Sequence, residues 1–270
     1  MINRRPRLTS LALSTALTRT ALTTLRAKAS GGPDLHRENY AGRTVDLYAG
    51  PAVGVATTLT AARIHPAAAL AVATAGACGA YDDIAGAGDP RRGFRAHLTA
   101  LRGGEVTSGA VKLFGISAAA LLAGAVLREK ALDKVLAGVV IAGAAHFVNL
   151  VDVRPGRAAA AVIGLGVPGM LRKGPGGELA AAAVGAAAAV LPDDLGERSM
   201  LGDTGAHALG AALGAAVVAG NGRAGLVAHA VAVVAAVCGD SVTAAARTEW
   251  PDDATAVARR VAGLVVGSPV

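Results

Sequence analysis

The sequence predicts an all-α fold, namely a polytopic bundle of about eight to ten transmembrane helices. Hydrophobic residues make up 53% of the 270 residues and the mean hydropathy is +0.49. Only 17% of the residues are charged, against about 25% in soluble domains. Long stretches such as 179–191 and 204–220 carry no charge at all, and the 36 glycines suit helices that pack closely in lipid. A water-soluble, alanine-rich helical protein is the alternative.

The chain begins with a basic segment, residues 1–38, whose first 30 residues contain no acidic side chain. Because Arg19 interrupts its apolar stretch, we expect an interfacial helix or a weak first span, with a cleaved signal peptide as the other interpretation. A transmembrane domain is predicted at 39–250 and a cytoplasmic tail at 251–270. The predicted spans are 45–63, 65–85, 109–127, 132–152, 157–171, 176–192, 204–221 and 223–246.

Basic residues set the expected orientation of these spans. Of the 26 Lys and Arg residues, seven fall in the links on one side and the other 19 fall on the opposite side. The richer side is expected to be cytoplasmic. The net charge of +7 does not indicate a nucleic-acid partner, because aromatic residues are only 3% and none alternate with a basic patch. The seven are Arg63, Arg128, Lys130, Lys134, Arg172, Lys173 and Arg223.

Three acidic clusters lie at predicted span ends on the cytoplasmic side: the pair Asp82 and Asp83, then Asp152, then Asp203. Carboxylates beside long hydrocarbon runs are costly unless they reach the water boundary and bind something. Together they would suit a divalent cation and an anionic substrate. Simpler interpretations are a solvated helix end for Asp82 and Asp83, and a helix cap for Asp203.

A polar stripe precedes one of these clusters. His146, Asn149 and Asp152 are spaced by three residues, so they share one face of a helix. Arg154 and Arg157 follow at a Pro-Gly corner, and guanidinium pairs bind phosphate oxygens through forked hydrogen bonds. The alternative is that Asp152 forms only a salt bridge with these arginines.

The predicted loop 86–108 holds a further basic element that includes Arg92 and Arg95. Its positive charge could form a cradle for substrate phosphates. It could equally be a solvated loop on the positively charged side of the membrane.

Four motifs in this order resemble those of the polyprenyl-phosphate N-acetylhexosamine-1-phosphate transferase family, of which the chain would be a short, divergent member. Asn39–Arg43 is similar to its Asn-x-x-Gly-Arg/Lys element, and Gly79–Asp83 to its Gly-x-x-Asp-Asp element. Asn149–Asp152 resembles Asn-x-x-Asp. Met200–Gly205 resembles Met-Gly-Asp-Thr/Ser-Gly, with an extra Leu.

The resemblance implies a multi-pass enzyme of the plasma membrane with a cytoplasmic active site, acting in cell-envelope glycan synthesis. It would transfer a sugar 1-phosphate from a UDP-N-acetylhexosamine to polyprenyl phosphate and release UMP. Mg²⁺ would be the cofactor, with Mn²⁺ as an alternative. The bilayer would be a partner, nucleic acid would not, and a homodimer stays open.

The resemblance also implies roles for individual residues. Asp82 and Asp83 look like the catalytic pair near the lipid phosphate, and Asp82 is the candidate for deprotonating it. Asn149 and Asp152 resemble the lining on the nucleotide side. Asp203 resembles the metal-binding aspartate, with Asp152 as a second ligand.

The chain also departs from the family. Pro155 stands where the family's longer motif has a second Asp, and nothing after residue 203 matches the His-rich element of many members. These departures leave a non-catalytic homologue that binds lipid phosphate, or assists envelope assembly, as the main alternative. A small transporter is a weaker one, because it would need polar residues in the middle of the membrane.

Overall fold

Ten α-helices form nearly all the regular structure in the part of the chain that the structure describes, so the all-α prediction is confirmed. This computed structural model describes residues 5–29, 35–86, 89, 91 and 94–239, and only the backbone of 94 and 95. The helices are α1 (Arg5–Ala27), α2 (Ala49–Ile64), α3 (Pro66–Ala85), α4 (Phe94–Arg102), α5 (Ser108–Leu127), α6 (Ala131–Val151), α7 (Arg157–Gly169), α8 (Pro175–Leu195), α9 (Gly202–Gly220) and α10 (Arg223–Cys238).

Local side chains explain where two of these helices begin. Pro66 occupies the first turn of α3, where its missing N–H costs nothing, and the His65 side chain accepts a hydrogen bond from the backbone N–H of Ala67 at 3.2 Å. At α5, the Thr107 hydroxyl accepts from the backbone N–H of Ala110 at 3.1 Å. Each cap satisfies a donor that the helix itself leaves unpaired.

Helices α8 and α9 form the centre of the bundle, and α9 packs against α2, α3, α6 and α8. Small residues allow this close packing. A Cβ atom at Gly210 would lie 2.4 Å from the carbonyl oxygen of Ala144, and one at Gly214 would lie 2.7 Å from the Cα atom of Ile141. The backbones of α9 and α6 therefore touch directly.

The first helix packs along the central helix α8, although α8 comes more than 150 residues later in the chain. Its polar face, made by Ser10, Ser14 and Thr18, is buried. The hydroxyl of Thr15 donates to the carbonyl oxygen of Gly185 at 3.0 Å. The N-terminal basic segment thus contributes a full helix to the protein core.

An ion-pair network joins the last turns of α1 to the end of α8. The carboxylate of Asp193 lies 2.7 Å from a guanidinium nitrogen of Arg19 and 3.0 Å from one of Arg26. Arg198 lies 3.2 Å from the same carboxylate. Because Asp193 is buried, removing its charge would leave three arginines without their shared partner.

Three helices, α5, α6 and α8, are long and apolar enough to cross a membrane. Apolar side chains such as Phe114 and Leu122 on α5 and Val231 on α10 point outward and are more than half exposed. The stretch predicted as a span at 157–171 is the 13-residue helix α7. At 1.5 Å per residue it is about 20 Å long, short of the roughly 30 Å hydrocarbon core.

Other predicted bounds shift slightly. The span predicted at 45–63 begins at Ala49, because residues 44–46 form a strand. Helix α10 is described to Cys238, so the rest of the span predicted at 223–246 and the tail at 251–270 lie outside the described residues.

A short β-hairpin, which the sequence patterns did not predict, precedes α2. Strands β1 (His36–Glu38) and β2 (Thr44–Asp46) pair antiparallel. The Asn39 side chain accepts hydrogen bonds from the backbone N–H groups of Ala41 and Arg43 at 2.9 and 3.0 Å, and Gly42 adopts φ +73°. The Asn-x-x-Gly-Arg motif is therefore the turn of this hairpin.

Candidate functional site

The end of α3 lies directly against the beginning of α9, and a glycine makes this contact geometrically feasible. A Cβ atom at Gly79 would lie 2.3 Å from the carbonyl oxygen of Asp203 and 2.7 Å from the backbone nitrogen of Thr204. Gly79 lies about one turn before Asp82 and Asp83, so the same approach carries both carboxylates to the start of α9. The spacing of the Gly-x-x-Asp-Asp motif follows from this packing.

Asp83 caps α9 from the neighbouring helix. Its two carboxylate oxygens accept hydrogen bonds from the backbone N–H groups of Asp203 at 3.0 Å and Thr204 at 2.9 Å, and from the Thr204 hydroxyl at 2.6 Å. Gly202, at φ +58°, turns the chain into the helix just beside it. Both oxygens of Asp83 are thus used to hold α3 and α9 together.

We expect Asp83→Ala to lower the free energy of unfolding by about 2 kcal/mol, because two buried N–H groups lose their acceptor. Circular dichroism at 222 nm during heating of the detergent-solubilised protein measures the change. Glu129→Ala, at an exposed carboxylate in the link between α5 and α6, is the control. Equal melting temperatures for the two variants would contradict the capping role.

Asp82 turns to a different partner. The ammonium group of Lys112 on α5 lies 2.7 Å from an oxygen of Asp82 and also forms an ion pair with Asp203. All three side chains are largely, but not fully, shielded from solvent. One cationic group from α5 therefore sits between carboxylates from α3 and α9.

These residues line a cavity of about 410 Å³, called here the acidic cavity. Asp82, Asp83, Asp203 and Asn149, all predicted site residues, contribute to its wall. Its cationic residues are Arg37, Arg91 and Lys112.

Two of these cationic residues, Arg37 and Arg91, lie outside the helices α3, α5 and α9 that carry Asp82, Lys112 and Asp203. Arg37 on β1 donates a hydrogen bond to the backbone carbonyl of Asp83 at 2.7 Å. Arg91 pairs with Glu105 at 2.7 Å and Asp89 at 2.8 Å. The Arg91 guanidinium lowers the pKa of both carboxyl groups. The cavity therefore has cationic side chains beside its three aspartates.

Asp152 lines a second cavity of about 100 Å³, the minor cavity, together with Arg154 and Asp194. Burial raises the pKa of the Asp152 carboxyl well above its ordinary value, and the neighbouring carboxylate of Asp194 adds to the effect. The guanidinium carbon of Arg154 lies 4.9 Å from the ring centroid of Tyr40. Glu38 borders both cavities, so they adjoin.

The structure thus places the predicted site residues along two adjoining cavities, and the charges of Asp203 and Asp83 still act on Asp152. Asp82, Asp83, Asn149 and Asp203 meet in the acidic cavity, whereas Asp152 and Arg154 lie in the minor cavity. Arg157 is buried at the start of α7 and lines neither of these two cavities. Arg92 and the side chain of Arg95 lie outside the described residues.

The acidic cavity offers two carboxylates to the Mg²⁺ that the family resemblance leads us to expect. Mg²⁺ is usually bound by one or two carboxylates, with waters and substrate phosphates completing its octahedral shell. Asp82 and Asp203 both place an oxygen against a single ammonium group, so one cation can contact both. Among the described residues no group of three or more His, Cys, Asp or Glu side chains is arranged to hold a metal.

Sequence reasoning missed Arg37 and Asp194, and it placed Lys112 at the end of the basic element of Arg92 and Arg95 without pairing it with a carboxylate. Lys112 stood out as a charge in the apolar stretch of α5, which is a signal that could have identified it. Arg37 lies next to the hairpin turn, and Asp194 lies in the last turn of α8; neither belongs to a motif of the sequence.

The candidate site is described from its geometry alone, because neither protein-family models nor curated proteins give a match to this chain.

Proposed function

We propose that this chain transfers a sugar 1-phosphate from a UDP-N-acetylhexosamine to polyprenyl phosphate in cell-envelope glycan synthesis. One observation carries the proposal. Asp82 and Asp203, which are 121 residues apart, contact the same Lys112 ammonium in a cavity that Arg37 and Arg91 also line. Such a site offers ligands for a divalent cation and positive charge for phosphates, which are the two requirements of phosphoryl transfer.

The proposal places the protein in the plasma membrane as a multi-pass bundle with the acidic cavity on the cytoplasmic side. Three helices of membrane-crossing length support this placement. The excess of basic residues on the side that carries Asp82, Asp152 and Asp203 supports the orientation. A lipid-linked acceptor then reaches the cavity from the bilayer, and the nucleotide reaches it from the cytoplasm.

The proposed reaction forms one bond and breaks one. An oxygen of the polyprenyl phosphate attacks the β-phosphorus of the UDP-sugar, the bond from that phosphorus to the bridging oxygen breaks, and UMP leaves with the bridging oxygen. Asp82 faces the cavity and would accept the proton of a singly protonated acceptor phosphate. Lys112, Arg37 and Arg91 would stabilise the charge that develops on the phosphate oxygens.

Mg²⁺, held by Asp82 and Asp203, would neutralise charge on the diphosphate. Asp83 would act by position, because its hydrogen bonds fix the start of α9 and therefore fix Asp203. The minor cavity beside it, with Asp152 and Arg154, would receive the nucleotide end of the donor.

The test uses the purified protein in lipid nanodiscs with polyprenyl phosphate and UDP-N-acetylglucosamine carrying labelled sugar. We expect butanol-extractable label and UMP in equal amounts, and neither product when EDTA is present. Absence of both products across several UDP-N-acetylhexosamines, with Mg²⁺ or Mn²⁺ supplied, would reject the transferase.

The second candidate is a non-catalytic homologue that binds lipid phosphate. It is favoured by Lys112, whose single ammonium group forms ion pairs with both Asp82 and Asp203. This candidate predicts retention of polyprenyl phosphate by the purified protein with no UMP released in the same assay.

A further inference from the structure

Lys112 occupies the position between two carboxylates that a bound cation would take. Its ammonium nitrogen lies 2.7 Å from Asp82 and forms a second ion pair with Asp203. The third aspartate of the cavity, Asp83, directs both oxygens to the backbone and hydroxyl of α9. Asp82 and Asp203 are the two carboxylates of the cavity that pair with the Lys112 ammonium group.

A lysine and a divalent cation cannot share this position. The carboxylate oxygens that would coordinate Mg²⁺ at about 2.0–2.1 Å are those that accept hydrogen bonds from the ammonium group. Two cationic centres at such a distance would also repel each other strongly. Binding of the ion thus requires the ammonium group to move.

The side chain and its surroundings permit such a movement. Lysine carries a compact charge on a flexible four-carbon stem. Lys112 lies in the first turns of α5 and borders the acidic cavity of about 410 Å³. A displaced ammonium group can therefore enter the cavity and stay hydrated there.

We propose that Lys112 competes with the divalent cation for Asp82 and Asp203, and that ion binding displaces the Lys112 ammonium group into the acidic cavity. In the absence of the ion, Lys112 keeps the two carboxylates from repelling each other. Once displaced, it faces the space where substrate phosphates would lie. The identity of the physiological ion rests on the proposed function, whereas the competition itself does not.

The first experiment measures Mn²⁺ binding to the purified protein in nanodiscs by electron paramagnetic resonance, without any substrate. We expect Lys112→Met to bind one Mn²⁺ at least about 10-fold more tightly than the wild type does. The reason is that the ammonium group no longer competes with the ion for the oxygens of Asp82 and Asp203. Lys130→Met, at an exposed lysine that precedes α6, should bind as the wild type does. Lys112→Met combined with Asp203→Asn should lose the gain.

The second experiment uses the wild-type protein and does not depend on the folding of a variant. Lysines are acylated with an N-hydroxysuccinimide ester with and without Mg²⁺, and labelling is read residue by residue by mass spectrometry. We expect Mg²⁺ to increase the labelling rate of Lys112 about threefold or more, as its ion pairs break. The rate at Lys130 should stay unchanged.

Equal or weaker Mn²⁺ binding by folded Lys112→Met, no binding to either protein, or Lys112 labelling that Mg²⁺ leaves unchanged or lowers would each overturn the competition. These outcomes are separate from those of the transfer assay. Tighter Mn²⁺ binding without UMP release would retain the competition and reject the transferase. Mg²⁺-dependent transfer, together with an unchanged Mn²⁺ affinity in Lys112→Met, would retain the transferase and reject the competition.

Discussion

Asp203→Asn should lower the rate of sugar-phosphate transfer about 100- to 1,000-fold, the loss that follows when a preorganised electrostatic contact is removed. The substitution keeps the size of the side chain. It also keeps the backbone N–H of residue 203, which donates a hydrogen bond to Asp83. It removes the negative charge that Lys112 contacts and that a cation would need. The rate is measured as UMP release in nanodiscs at saturating UDP-N-acetylhexosamine.

The matched control is Asp133→Asn, the same chemical change at a partly exposed ion pair with Arg223 on another part of the bundle. It should leave the rate within about twofold, because such pairs contribute little. Near-normal turnover by folded Asp203→Asn would remove Asp203 from the proposed chemistry.

Gly79→Ala should separate α3 from the beginning of α9. Its added methyl carbon would meet the carbonyl oxygen of Asp203 at 2.3 Å, a backbone atom that cannot rotate away. Overpacking of this kind costs about 1–3 kcal/mol, which corresponds to a melting temperature lower by roughly 3–10 °C for a chain of this size. We also expect transfer activity to fall at least about 10-fold, because Asp82 and Asp83 move with α3.

Gly164→Ala is the matched control, since a Cβ atom at this helical glycine of α7 meets nothing within 4 Å. Alanine in a helix interior should keep or slightly raise the melting temperature. If Gly79→Ala and Gly164→Ala had the same melting temperature and the same transfer rate, the close contact between α3 and α9 would be refuted.

The sequence was sufficient to locate most of the helices. Apolar runs of 17 or more residues predicted α3, α5, α6, α8 and α9 with bounds within three residues of those observed. Such runs report directly on burial, and charged or glycine-rich links mark their ends. The meeting of Asp82 and Asp83 with Asp203 was also predictable, because spans that end on the same side bring their ends together.

The pairing of individual side chains was not predictable. Lys112 is 30 residues from Asp82 and 91 from Asp203, and only the packing of α5 beside α3 brings them together. Asp152 lies after the end of α6 and lines the minor cavity with Asp194, close enough to Asp203 and Asp83 for their charges to act on its carboxyl group. The hairpin escaped prediction because its strands have three residues each and alternate too little.

The pairing of α1 with α8 has a consequence for biosynthesis. The Thr15 hydroxyl and its acceptor at Gly185 are 170 residues apart, so the ribosome needs about 10–30 seconds to supply the second after the first. During that interval the hydroxyl-bearing flank of the nascent first helix lacks its docking surface. The complete bundle therefore forms late, when a helix that is synthesised early packs against one that is synthesised much later.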